Sequence, residues 1–245
     1  MPHPKRLLVA ALTAALITLP SAGCGQARPA DEAFGAKVRA YLLAHPEVLE
    51  EVLQKLEADK AARAAADAAA AIAKNRKALE EDERDFVANP KGRVTVVEFF
   101  DYKCPYCKTS ADAVVRLIHD HPDVRFVFKE FPILSDTSSH AAADQLLARP
   151  RGRYLELFQA LMNQPDLDDE KAAGLFKNLG LDVKALDTPE ARAEVEKHIA
   201  DNRALARAIG VDGTPAFIIN GRRIDGWQPE EIDQALKAAR GAGGL

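Results

Sequence analysis

The sequence predicts an α/β domain whose mixed sheet is interrupted by a block of helices and preceded by a helical stalk. Three observations carry this. VTVVEFF (94–100) and VRFVFKEF (124–131) flank a segment with helical apolar spacing, the strand–helix–strand order of a crossover unit with parallel pairing. From Ser138 to Gly210 every apolar pattern is helical, with Pro and Gly as punctuation. Strands return only at PAFIIN (215–220).

The 245-residue chain opens with Lys5 and Arg6, a thirteen-residue apolar run from Leu7 to Leu19, then Pro20 and small residues. That is the layout of a secretory signal peptide, taken as residues 1–23. The run is shorter than the about 20 apolar residues a membrane span needs. SAGC (21–24) resembles a lipoprotein processing box in its last three positions, so Cys24 is a candidate for lipidation. Ordinary cleavage near Ala22 or Ala27 is the alternative. With 33 basic and 37 acidic residues the formal net charge is -4. There is no basic stripe, which excludes nucleic acid as a partner. Removing residues 1–23 takes away two cations, leaving 31 minus 37, or -6. Export places the thiols outside the reducing cytoplasm. With Cys24 at the processing site, only Cys104 and Cys107 remain in the folded part, too few for a structural framework.

Residues 28–85 form the expected stalk. Phe34, Val38, Tyr41 and Leu42 recur at helical spacing, then His45 and Pro46 interrupt, because a residue before proline avoids the helical region and proline suits a first turn. Val48, Leu49, Val52, Leu53 and Leu56 make an apolar stripe on a second helix, facing either this chain's own core or another copy. Eleven of the sixteen residues from Ala58 to Ala73 are alanine, which favours helix but offers little area to bury. One helix from Pro46 to Arg84 would be about 58 Å long, so the segment reads as a spacer rather than packing material, with a disordered tether as the alternative.

The compact domain is expected over 86–245, with its helical insert at about 138–210. VTVVEFF is short, β-branched and nearly all apolar, as a strand buried on both faces should be. Cys104 to His119 is the crossover helix, with Ala113, Val114, Leu117 and Ile118 on one side and Pro122 closing it. After PAFIIN, Asn220-Gly221 signals a hairpin, RRI is its antiparallel partner, and PEEIDQALKAAR ends the domain as a helix.

Cys104-Pro105-Tyr106-Cys107 therefore sits where a strand ends and a helix begins. Unpaired N–H groups there stabilise a thiolate, so Cys104 should be the acidic nucleophile and Cys107, one turn inside, the buried resolving thiol. Structural zinc needs two more ligands of this kind, and His119 and His121 stand at the other end of the helix, so no metal site is expected. Glu98, six residues before Cys104 with apolar neighbours, is expected to point inward rather than to solvent, with Lys129 on the next strand as its charge partner.

The CPYC motif, the preceding strand, the helical insert and Gly213-Thr214-Pro215 together resemble the thioredoxin superfamily, in its branch of periplasmic DsbA-like proteins, over residues 89–240. The resemblance implies a thioredoxin fold and a cis bond before Pro215. It also implies that the Thr214 backbone pairs with an extended substrate, with Pro105, Tyr106 and Gly213 on the same surface. It makes Glu98 the proton acceptor for Cys107 and a Cys104–Cys107 disulfide the redox centre, with no cofactor. The stalk, with YLLAHPEVLEEVL and its alanine-rich continuation, looks like the ScsC-like (suppressor of copper sensitivity) group. That likeness implies a trimer, disulfide isomerase or reductase activity on misoxidised exported proteins, and a membrane redox partner. Net dithiol oxidation is one alternative. Another is a Cu(I)-binding or holdase role for the same cysteines, although with only two methionines the chain has no methionine cluster to support it.

Overall fold

A computed structural model describes residues 29–242 of the chain. The expected signal peptide and Cys24 lie outside the described residues. The chain divides into two units between Ala58 and Asp59.

The first unit holds α1 (Pro29–Ala44) and the start of α2 (Glu47–Lys74). The break falls at His45-Pro46, as the proline predicts. Phe34, Tyr41, Leu49, Val52, Leu53 and Leu56 are all exposed.

The expected stalk of 28–85 is not a uniform spacer. From Asp59 onward the chain is part of the second unit. The helix does not run on to Arg84: it stops at Lys74, where the Asn75 side chain donates to the Ala71 carbonyl at 2.8 Å, and a short α3 (Arg76–Glu80) follows. Ile72 and Leu79 are buried in a cluster with Val97, Phe99, Val127, Leu205 and Ile218. Two large apolar residues after a run of alanines are enough to pack where the alanines cannot.

The second unit is built on a five-stranded sheet in the order β1-β3-β2-β4-β5, with β1 Phe86–Ala88, β2 Val94–Phe100, β3 Val124–Glu130, β4 Ala216–Ile219 and β5 Arg222–Asp225. β2 and β3 pair in parallel, joined by α4 (Pro105–Asp120), and the other neighbours are antiparallel. β1 was not anticipated: three residues carry too little pattern to be read locally. Asn220 and Gly221 both have positive φ, 49° and 79°, as a two-residue hairpin turn requires.

Between β3 and β4 run α5 (Asp136–Ala148), α6 (Tyr154–Met162), α7 (Asp169–Asn178), α8 (Val183–Leu186) and α9 (Pro189–Ala208). Ser135, Asp168, Asp182 and Thr188 each cap the helix that follows through a side-chain oxygen. α10 (Pro229–Ala242) closes the chain. Alternate residues of the strands face two separate cores. Val96 and Phe100 join α4, α6 and α10, whereas Val97 and Phe99 join α3 and α9. That alternation decides which charged residue lies under the cysteines.

Candidate active site

Cys104 is the N-cap of α4, in an extended conformation (φ −71°, ψ 121°), and Pro105 takes the first helical position, where its missing N–H costs no hydrogen bond. The loop is pinned from below. The Cys104 N–H donates to the Asp101 carbonyl at 3.1 Å, and the Lys108 N–H to the Cys104 carbonyl at 3.0 Å. From the other side comes the loop before β4, with a cis peptide between Thr214 and Pro215. The Cys104 thiol donates to the Thr214 carbonyl at 3.1 Å. Residues 110 positions apart in sequence thus meet at the sulfur.

Both cysteines are free thiols. Cys104 is 4 % exposed and Cys107 1 %, so the nucleophile is less open than a surface thiol, while Pro105 and Tyr106 between them are exposed. Their acidities are pulled apart. Cys104 is lowered to about 5, chiefly by the Cys107 thiol donating to it, with the Thr214 side chain and the N–H groups of Cys107 and Tyr106 adding. Partial burial and the Thr214 carbonyl, which favours the protonated form, work against this without winning. Burial pushes the Cys107 thiol far up, and the hydrogen bond to Cys104 and the charges of Glu98 and Cys104 push the same way.

Glu98 is buried, on the face of β2 that packs against α4 with Val96 and Phe100. Burial first, and the charge of Cys104 second, hold its carboxyl up at about 8, and its Oε2 has no hydrogen-bond partner. Lys129 is not its partner. In the sheet register Lys129 lies opposite Phe99, whose side chain points to the other face. There, fully buried, Lys129 pairs with Asp85 and donates to the Ala78 carbonyl at 2.6 Å, with His198 Nε2 3.0 Å from the same carboxylate. Both residues sit on buried strands, but a shift of one position puts them on opposite sides of the sheet.

Sequence reasoning missed Asp101. Its buried carboxylate accepts four hydrogen bonds: from the Lys103 N–H (2.7 Å) and Ser138 hydroxyl (2.7 Å) on Oδ1, and from the Ile133 and Leu134 N–H groups (2.8 and 3.0 Å) on Oδ2. It ties the cysteine loop to the loop after β3. The signal was an acid directly following an all-apolar strand, FFDYKC. Glu130 was missed as well. Its Oε1 accepts from the buried hydroxyls of Tyr102 (3.0 Å) and Tyr154 (2.7 Å), and burial keeps its carboxyl well above the usual range. Gly213 is exposed, and a Cβ there would meet nothing within 4 Å.

A thioredoxin family model matches residues 80–238, and the N-terminal domain of copper resistance protein ScsC matches residues 32–63. The chain is 37 % identical to a thioredoxin-like oxidoreductase from Silicibacter pomeroyi, covering 68 % of this chain and 98 % of that one at a TM-score of 0.63. It is 25 % identical to a linker-deleted ScsC from Proteus mirabilis, covering 90 % and 100 % at a TM-score of 0.66. It is also 31 % identical to the Na(+)/H(+) antiporter NhaA 1 of Salinispora arenicola, over 64 % of this chain and 25 % of the antiporter. The chain thus spans about a quarter of the length of the curated relatives it matches. No described helix is long and apolar enough to cross a membrane.

Proposed function

The chain belongs to the thioredoxin family, and on that premise we propose that it is an exported thiol-disulfide oxidoreductase of the ScsC and DsbA type, working as an isomerase or reductase through Cys104 and Cys107. The observation that carries the reading is the split in acidity: one thiol at the N-cap position of α4 lowered to about 5 beside a buried one pushed far up.

The Cys104 thiolate attacks one sulfur of a substrate disulfide. A mixed disulfide forms, and the other substrate sulfur leaves as a thiolate. Two exits follow. In isomerisation the freed substrate thiolate attacks elsewhere in its own chain, and a substrate thiolate finally displaces Cys104, with no net change in electrons. In reduction Cys107 loses its proton to Glu98 and attacks Cys104, releasing the substrate as a dithiol and leaving a Cys104–Cys107 disulfide. A dithiol protein, the expected membrane redox partner, then returns two electrons. Glu98 suits the acceptor role because its carboxyl, held at about 8, is basic enough to take a proton yet partly ionised near neutral pH. Thr214, Pro215 and Gly213 opposite the sulfur, with Pro105 and Tyr106 beside it, supply the substrate-facing surface.

The exposed stripe of the first unit supports self-association, with a trimer as the expected form. Several redox sites would then act on one misfolded chain, which raises the effective concentration of attacking thiol. Export rests on the signal-peptide layout, and with it membrane attachment through Cys24.

The test is a pair of variants. Cys104→Ser should abolish exchange, and Cys107→Ser should accumulate mixed disulfides because attack proceeds without internal resolution. Substrates trapped through Cys107 in the Cys104→Ser protein would reverse the assignment.

A further inference from the structure

The main chain of Asp101 reaches both cysteines. Its carbonyl accepts the Cys104 N–H at 3.1 Å, and its N–H donates to the Cys107 sulfur, favouring the thiolate there. An aspartate directly after a strand can accept, on its side chain, from the N–H two residues on. The Lys103 N–H does so at 2.7 Å, while Asp-Tyr-Lys-Cys closes on the Cys104 N–H. One residue therefore fixes where the chain leaves β2, where Cys104 begins α4, and what the resolving sulfur rests on.

The carboxylate is buried and saturated. Each oxygen takes two donors, Lys103 N–H and Ser138 hydroxyl on Oδ1, Ile133 and Leu134 N–H on Oδ2. No lone pair is left for a metal, a proton or a substrate, so the side chain takes no direct part in exchange. Its partners are themselves fixed. The Phe131 N–H donates to the Phe100 carbonyl at 3.0 Å, and the Pro132 carbonyl accepts from Nε and Nη2 of Arg203 on α9 at 3.0 and 2.6 Å. Ser138 lies in the first turn of α5. Through one carboxylate the cysteine turn is moored to the end of β3, to α5 and to α9.

We infer that Asp101 is a positioning residue for resolution: it holds the Cys107 sulfur in place against Cys104, and so sets how often a mixed disulfide ends in reduction rather than in isomerisation. This role rests on the redox reading and names what controls its second step. The two steps differ in what they demand. In attack the Cys104 thiolate meets a sulfur on a separate chain, which can adjust to it. In resolution both reacting sulfurs belong to this protein. Cys107 passes its proton to Glu98, its thiolate bonds to Cys104 Sγ, and the Cys104–substrate bond breaks. The substrate sulfur leaves as a thiolate, with the two electrons that the cysteine pair loses. Such a step depends on the fixed geometry, and a misplacement of about 1 Å can slow it about a hundredfold.

Asp101→Asn tests this with little change of shape. Its one carbonyl oxygen goes to the Ile133 and Leu134 N–H groups, since the opposite orientation leaves two buried donors unmet. The amide then donates to the Ser138 hydroxyl, which can turn to accept, and the Lys103 N–H alone loses its acceptor. A symmetrical disulfide of two fluorescent peptides is mixed with the reduced full-length protein in a stopped-flow instrument. Attack releases the first peptide and resolution the second. In Asp101→Asn the second phase should slow about tenfold relative to the first, equivalent to about 1.4 kcal/mol. Ser138→Ala weakens the mooring but keeps the Lys103 bond, and should slow the second phase about threefold relative to the first. Ile72→Ala, which opens a cavity in the other core, should keep the wild-type ratio. A folded Asp101→Asn with the wild-type ratio overturns the positioning role. So does an equal fall of the ratio in Ile72→Ala, which would trace the effect to lost stability. If Asp101→Asn does not fold, Ser138→Ala decides, and an unchanged ratio there overturns the role. A wild-type protein that releases no first peptide would instead refute the redox reading, and this inference with it.

Discussion

Replacing Cys107 by alanine isolates the interaction that most lowers the pKa of Cys104. The largest contribution to that shift is the Cys107 thiol donating to the Cys104 sulfur. A hydrogen bond to a charged group contributes about 1.5 to 3 kcal/mol, and about 1.36 kcal/mol corresponds to one pKa unit. Loss of the donor should therefore raise Cys104 by about 1 to 2 units, from about 5 to between about 6 and 7. At about pH 6 the thiolate fraction would fall from about nine in ten to between about a half and a tenth. Cys107→Ser keeps a hydroxyl donor at the same place and should move the midpoint by less than about half a unit. Ultraviolet absorbance of the thiolate, followed against pH in both variants and the parent, reads this directly. If Cys107→Ala still titrates at about 5, the Cys107 thiol is not the cause. The N–H groups at the start of α4 and the Thr214 side chain would then account for the low value by themselves.

Other outcomes follow from the same geometry. Glu98→Gln should slow resolution by Cys107 more than attack by Cys104. The wild-type resolution rate should rise with pH through about 8 as the base form appears, and stopped-flow profiles of the variant should lack that rise. Since folding raises the Glu98 value from 4.5 to about 8, the folded state holds the proton that the unfolded chain has released, so wild-type stability is lost as pH climbs through that window. Denaturation at several pH values should show Glu98→Gln gaining on the parent over the same range. Lys129→Met takes the lysine from the buried Asp85 carboxylate, leaving His198 Nε2 at 3.0 Å beside it, and should cost about 3 to 5 kcal/mol in a urea melt. Because Lys129 faces away from Glu98, the Cys104 titration should stay where it is. A deletion meant to remove the oligomerising stripe should end at Ala58. Ending at Asp85 would also take out Ile72, Leu79 and the partner of Lys129. The shorter deletion should give a folded monomer by light scattering that retains exchange with glutathione but loses most isomerase activity on a scrambled protein. Equal unscrambling would dissociate the stripe from catalysis.

Local chemistry settled much of this protein before any fold was known. A cysteine followed by proline at the end of an apolar strand had to start a helix, Asn-Gly had to turn a hairpin, and His45-Pro46 had to break one. Each depends on backbone preferences within a few residues. The apolar flanks of Glu98 were likewise enough to send it inward. Lys129 marks the limit: alternation along a strand says that a residue is buried, but which face it shares with another strand depends on register between segments about thirty positions apart. β1 escaped for the same reason, since three residues become a strand only when β3 is there to pair with them. Asp101 and the Ile133–Leu134 loop carry no periodic pattern, and their meeting is set by the parallel pairing of β2 and β3, which brings both strand ends to one edge of the sheet. The acidity of Cys104 is divided between the two levels. Its place at a helix start is written in CPYC, whereas the Thr214 contact exists only because β4 returns from beyond the inserted helices to lie beside β2.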